Sequence, residues 1–248
     1  HRFGLADARL DAATTNPRGW LLAQIGPAAP QRGEGLASGV EGLKRFVEFQ
    51  QRQRAAAVQA AASGAGADAS TEQRFTEHFR TLVQADVRAR LVTAATSAQP
   101  FNERLALFWA NHFTVSMAKA SARGIVGAYE REALRPHIAG PFEVLLKHAA
   151  THAGMLRYLD NDQSAGPQSD IVRRRARRPR GDNEPGPRIT GLNENLAREI
   201  LELHTLGVDG GYTQTDVTQF ARVLTGWRVP FRELMDARPG APTYRFDP

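Results

Sequence analysis

The sequence predicts an all-α protein, a multi-helix globular domain built from helical hairpins, and three observations carry that prediction. Apolar residues recur at helical spacing in four stretches, 101–113, 142–159, 192–206 and 214–225. The segment Asn193 to Trp227, NENLAREILELHTLGVDGGYTQTDVTQFARVLTGW, reads as helix, tight turn, helix. With 248 residues, 42% of them hydrophobic, and no long polar half, the chain can bury one sizeable core. One domain spanning 1–248 is the expectation.

Taken in order, residues 1 to 30 combine Arg2-Phe3-Gly4 and Trp20-Leu21-Leu22 with Pro27 and Pro30, and read as short helices joined by turns. From Gly39 to Arg54 a helix is expected, with Leu43, Phe46 and Phe49 on one side. The Ala, Gln and Gly-rich stretch that follows reads over 55–70 as a mobile linker. A long helix starts at Thr71 with Phe75, Phe79, Leu82 and Val83 inward. The next, Phe101 to Phe113, has Phe101, Leu105, Phe108 and Trp109 as its apolar stripe, with His112 inside that stripe. Pro141 to Leu159 reads as one amphipathic helix carrying His148 and His152 four residues apart. Asp160-Asn161-Asp162 ends it and opens a loop over 163–190 that contains the run RRRARRPR.

In the hairpin, Leu192, Leu196, Ile200, Leu203 and Leu206 share one face of an ideal α-helix. Glu194, Arg198 and Glu202 lie opposite at a four-residue spacing that supports an exposed face. Gly207 is the residue expected past a helix end, and Asp209-Gly210-Gly211 makes a turn. Thr213 with Asp216 three residues on resembles a capping box and starts a second helix, with Val217, Phe220, Ala221 and Leu224 inward. Gly226 ends it, and Trp227 folds back onto the pair; the chain then stops at TyrArgPheAspPro without a closing element.

Several polar residues interrupt this pattern. Glu199 falls inside the apolar stripe, where a carboxylate must be paired, hydrogen-bonded or protonated. A buried His112 needs a fixed tautomer and a partner. The plain reading of His112 and Glu199 is a structural pair. The functional one is a carboxylate and imidazole that exchange protons or hold a divalent ion for hydrolysis. His148 and His152 have the spacing of metal ligands, and His204 is a third donor if its helix packs alongside. His204 itself lies roughly 140° from Glu199 on an ideal helix, which sets those two apart. Core packing is the alternative for His148 and His152, because a zinc site needs at least a third protein ligand, and Ala149 stands where a zinc peptidase would carry glutamate. Asp160 and Asp162 cap a helix end more readily than they bind calcium, and Asn193 and Asn195 brace a helix start.

Composition narrows the classes further. The formal charge of +6 owes much to Arg173, Arg174, Arg175, Arg177, Arg178 and Arg180, so it describes a loop more than the fold. Contact with a polyanion is the functional reading of that run, but no aromatic residue is interleaved for stacking on bases, which speaks against nucleic acid. The absence of cysteine excludes disulfides and thiolate chemistry. No apolar run is long enough to cross a bilayer. Phosphate-binding GxxxxGK and GxSxG motifs are absent.

The hairpin segment, together with ERLALFWANHFTVS at Glu103 to Ser116, YEREALRPHIAGPFEVLL at Tyr129 to Leu146 and MLRYLDN at Met155 to Asn161, resembles the bacterial family called domain of unknown function 1800. The opening RFG is similar to that family's N-terminal region as well. The resemblance implies a large, mainly helical protein, often exported to the periplasm or beyond and often encoded beside a sulfatase-like partner protein. It implies no established activity. Ala153 stands where the resemblance leads one to expect proline, so an unbroken helix through His152 is expected. The family's later segment with His-Asp and Gly-Lys is not present, and a leader segment is expected ahead of His1, so a fragment is expected at both ends. Two functions follow as expectations. One is an exported metal-assisted hydrolase using His112 and Glu199; the other is a non-catalytic helical scaffold that binds a partner protein or an envelope polymer.

Overall fold

The computed structural model describes residues 10–63, 71–166, 168–169, 172–173 and 191–246. The all-α expectation holds. Two short helices, α1 (Leu10–Thr15) and α2 (Pro17–Leu22), precede a long pair, α3 (Gly39–Ser63) and α4 (Thr71–Thr96). Asn16 caps α2 by accepting from Gly19 N at 2.9 Å. The linker expected over 55–70 is helix as far as Ser63, and residues 64–70 lie outside the described part. Its Ala, Gln and Arg residues are strong helix formers, so the segment stays helical with almost no packing to hold it; Val58 is 71% exposed there.

The long pair meets the rest of the molecule by close backbone approach. A Cβ on Gly42 of α3 would sit 2.3 Å from Gly124 O, and one on Gly124 would sit 2.3 Å from the Phe79 ring of α4. Only glycine fits at either position. Behind this crossing Phe49, Phe75, Phe79 and Leu82 form an aromatic core of their own.

Next come α5 (Pro100–His112) and α6 (Val126–Tyr129), which continues as a π-helical turn over Glu130–Leu134 and a 3-10 turn over Arg135–His137. The buried side of α5 is not the expected stripe. Asn102, Glu103 and Ala106 are buried, while Phe108 is exposed. The cause is an ion pair: Arg135 Nη1 donates to Glu103 Oε2 at 3.0 Å with both side chains almost fully buried, which turns that side of α5 inward.

The single helix expected from Pro141 to Leu159 is two, α7 (Phe142–Thr151) and α8 (Ala153–Tyr158). His152 between them is extended, at φ −64° and ψ 144°. No proline is needed for the break, because the imidazole does the work. Its Nδ1 accepts from Gly154 N at 3.0 Å as the cap of α8, and its Nε2 meets Glu132 Oε2 at 3.0 Å.

The hairpin forms as expected, with one difference. Helix α9 (Asn195–Glu199) passes into a second π-helical turn over Ile200–Thr205, then Gly207 at φ 90° ends it. Thr213 and Asp216 make the full capping box of α10 (Gln214–Leu224), whose Val217, Ala221 and Leu224 are buried. The chain does acquire a closing element: Trp227–Arg228 (β1) pairs antiparallel with Arg245–Phe246 (β2), around the short helix α11 (Phe231–Leu234). One main core joins Leu43, Phe113, Ile125, Leu134, Leu145, Leu156, Leu196 and Val217, from α3 and from the elements that follow α4. No helix is long and apolar enough to cross a membrane among the described residues.

Candidate functional site

The π turn at Ile200–Thr205 is what shapes the candidate site. Thr205 donates from Oγ1 to Ile200 O at 2.6 Å, and Leu206 N and Gly207 N both reach Leu201 O at 3.0 and 3.1 Å. One extra residue in the turn rotates everything after it, as π-bulges do. Leu203 and Leu206, expected in the core, are therefore 60% and 57% exposed, and His204 takes the buried place at 5%.

His204 lies against α5. Its carbonyl oxygen accepts from His112 Nε2 at 3.1 Å, its ring centre is 5.8 Å from that of His112 and 4.9 Å from that of Phe113. Because a carbonyl oxygen only accepts, His112 carries a proton on Nε2. His204 Nδ1 is buried with no hydrogen-bond partner among the described residues. Burial first, then the nearby charge of His112, pushes the His204 pKa down to about 4, so this ring is neutral at neutral pH.

Around the two imidazoles lies an open aromatic face. Phe108 stacks on His112 with ring centres 6.3 Å apart and planes 12° apart, and Phe142 lies 5.8 Å from Trp109 and 6.5 Å from His112. Phe108 is 56% exposed and Phe142 41%, and Leu203, next to His204 in the chain, is exposed as well. Trp109 is anchored through Nε1 to Ile138 O at 3.0 Å. A neighbouring group of aromatic and aliphatic side chains left in water, with a fixed Trp at its centre, is the composition of an interaction surface.

The expected pairing of His112 with Glu199 is not formed here, since the imidazole's bond goes to the backbone of His204. Glu199 is half-buried and makes no hydrogen bond or ion pair with any described residue; burial first, and then the charge of Glu202, raise its pKa. His148 and His152 do not share a face either, because the helix breaks between them. His148 stacks on His137 with ring centres 3.8 Å apart, and His152 is taken by Glu132 and Gly154. Among the described residues no three His, Asp or Glu side chains come together to hold a metal ion. Of the arginine run, Arg173 is exposed and bonds through its N–H to Ser169 O at 3.0 Å; Arg174, Arg175, Arg177, Arg178 and Arg180 lie outside the described residues.

Two buried polar clusters went unread in the sequence. In the first, Glu130 accepts from Gln31 Nε2 at 2.8 Å and pairs with Arg90 at 3.2 Å, while Arg131 bonds Asp86, Gln31 and Ala37 O. Gly127 had been the one available signal, since a Cβ there would strike the Asp86 carboxylate at 2.1 Å. In the second, the Arg157 guanidinium lies against the rings of both Phe46 and Phe231, at 4.1 and 4.9 Å from their centres, and donates to Ser121 O and Asp162 Oδ2. Asp160, in the left-handed region at φ 57°, pairs with Lys119 at 2.6 Å, and Asn193 Nδ2 braces the same turn through Leu159 O and Asp160 O. Burial pushes the Asp162 carboxyl up to about 6 despite Arg157.

Fold and site together define an all-α protein with a closed, charge-braced interior and an aromatic face carrying two histidines. The family described as "Protein of unknown function (DUF1800)" matches residues 1–248, the whole chain, and the protein belongs to that family. No curated protein matches the chain, and no solved structure does.

Proposed function

We propose that this protein is a helical binding module that docks a partner protein on the face formed by Phe108, Trp109, His112, Phe142 and Leu203. The observation that supports it is the exposure of Phe108, Phe142 and Leu203 beside an anchored Trp109. Single exposed apolar residues are ordinary, but rings in mutual contact remove much apolar surface from water when covered. The partner we assign is the sulfatase-like protein that the family resemblance places beside such genes, and the place of action is the periplasm or the exterior. Co-expression of the two proteins followed by light scattering on the purified mixture tests the first part. A complex that survives in the wild type and dissociates in Phe108→Ser/Phe142→Ser supports the reading; no complex, or one indifferent to both substitutions, ends it. Cell fractionation of the full-length protein tests the second, and recovery in the cytoplasm alone would refute export.

The hydrolase reading has one observation in its favour. Glu199 is half-buried with no bonded partner, as a proton-transfer group awaiting a substrate would be. Hydrolysis of ester and phosphate reporters that is abolished by Glu199→Gln would establish it; absence of turnover, or turnover unaffected by that change, removes it.

A further inference from the structure

We infer that the aromatic face binds a second copy of this chain across a two-fold axis, with Arg104 of each copy paired to Glu199 of the other. The pairing rests on the docking face proposed above and adds a regulation to it, because the second copy and the partner protein compete for one surface.

That face carries an unused charge of each sign. On α5 Arg104 is exposed four residues before Phe108, so the two share one side of the helix, and the Arg104 guanidinium bonds to no described residue. Glu199, at the end of α9, stands four residues before Leu203 and five before His204. The π turn that starts at Ile200 bonds residue i to i+5, which stacks Glu199 one turn behind Leu203 and His204. Its half-buried carboxylate has no bonded partner among the described residues. Burial first and the like charge of Glu202 second raise its pKa, and no cation among those residues relieves it.

The two charges stand on separate arms. The helices touch near their C-terminal ends, where His112 Nε2 donates to His204 O at 3.1 Å. From that contact Arg104 lies about 12 Å back along α5 and Glu199 about 7 Å back along α9, at roughly 1.5 Å per residue. Such a surface is self-complementary. A two-fold axis in the plane of the face, bisecting the line from Arg104 to Glu199, sets the arginine of each copy over the glutamate of the other, so one rotation closes two identical ion pairs. The same rotation covers the exposed Phe108, Phe142 and Leu203, which surround the contact between the arms, with their own counterparts. An unrelated protein has to supply a carboxylate and a cation in matching order; a second copy supplies both by construction. With so few large apolar side chains in it, the interface belongs to the small, reversible class, and its exposed arginines make it sensitive to salt.

Sedimentation equilibrium of the whole chain, from about 1 to about 500 µM, reads the dimer directly. The wild type is expected to pass from monomer to dimer with rising concentration, and at a higher concentration when salt is added. Arg104→Glu alone and Glu199→Arg alone are expected to stay monomeric, since each sets like charges opposite one another. An equimolar mixture of the two variants is expected to dimerise again, because each brings the charge that the other lost. A dimer that survives either single change, or a mixture that stays monomeric, overturns the pairing. A wild type monomeric at every concentration overturns it as well, even if a variant fails to fold. Co-expression reads partner docking separately: a heterocomplex formed by an otherwise monomeric chain ends only the self-pairing, and a dimer without a heterocomplex ends only the partner reading.

Discussion

Two π-helical turns sit in this molecule, and they differ in what is done with the polar groups they carry. In the turn Glu130–Leu134 every charged side chain is matched: Glu130 by Gln31 and Arg90, Arg131 by Asp86 and Ala37 O, Glu132 by His152 and Gly39 N. In the turn Ile200–Thr205 His204 keeps a buried nitrogen with no partner, and Leu203 stands in water. A π turn costs a regular helix its best hydrogen bonds, so both need a compensating gain. The first finds it in packing and charge pairing inside the protein. The second finds less of it, since Glu202 pairs with Arg198 at 3.0 Å while the buried His204 nitrogen stays without a partner among the described residues, which is why function is sought there.

The comparison breaks most visibly at the closed side. Glu103→Ala leaves Arg135 buried without its main counter-charge, and chemical denaturation is expected to show a loss of about 3–5 kcal/mol. Replacing both partners at once, Glu103→Leu with Arg135→Met, is expected to recover most of that loss. If the single change costs under about 1 kcal/mol, the Glu103–Arg135 pair is not a structural brace.

Asp162 stands between the two cases, since one oxygen meets Arg157 and the other has no side-chain partner among the described residues. Its folded-state pKa of about 6 lies above the ordinary value of 3.8, so the folded form holds its proton longer than the unfolded form. Stability from this group is therefore full below about pH 4 and declines as pH rises toward 6, by about 3 kcal/mol in all. Denaturation curves for wild type and Asp162→Asn between pH 4 and 6.5 are expected to differ in slope by that amount, the variant being flatter. Parallel slopes would show that Asp162 titrates normally.

At the open turn the effects are smaller and opposite in sign. His204→Leu removes the unpartnered nitrogen and is expected to leave stability unchanged or raise it by up to about 1 kcal/mol. A loss above about 2 kcal/mol would reclassify His204 as part of the brace. The smallest expected change in stability is that of Phe108→Ser, within about 0.5 kcal/mol by thermal denaturation, as for an exposed position. A larger loss would mean that Phe108 supports the core.

What the sequence made legible was local. Gly207, the Thr213–Asp216 cap and the Glu194, Arg198, Glu202 ladder depend on residues a few positions apart, and all are present. What it hid depends on distant partners. The turned face of α5 follows from an arginine 32 residues away, the break at His152 from Glu132 at 20, and the second π turn shifts a face that an ideal wheel assigns with confidence to Leu203 and Leu206. The site suffered most, because His112 was legible as a special residue while its neighbour was read as Glu199 and not His204.

The clasp around Arg157 has a consequence for how the chain comes to be folded. Phe46 is made well before Phe231, yet both lie against one guanidinium, and Lys44 Nζ likewise donates to Ala237 O across 193 residues. Until α11 emerges from the ribosome, Phe46 has the Phe75 ring beside it but not that of Phe231, and contacts of such long range are the slow ones to form. Nascent chains halted before Phe231 should thus be held by chaperones with this side of Phe46 uncovered, and release should follow the arrival of α11.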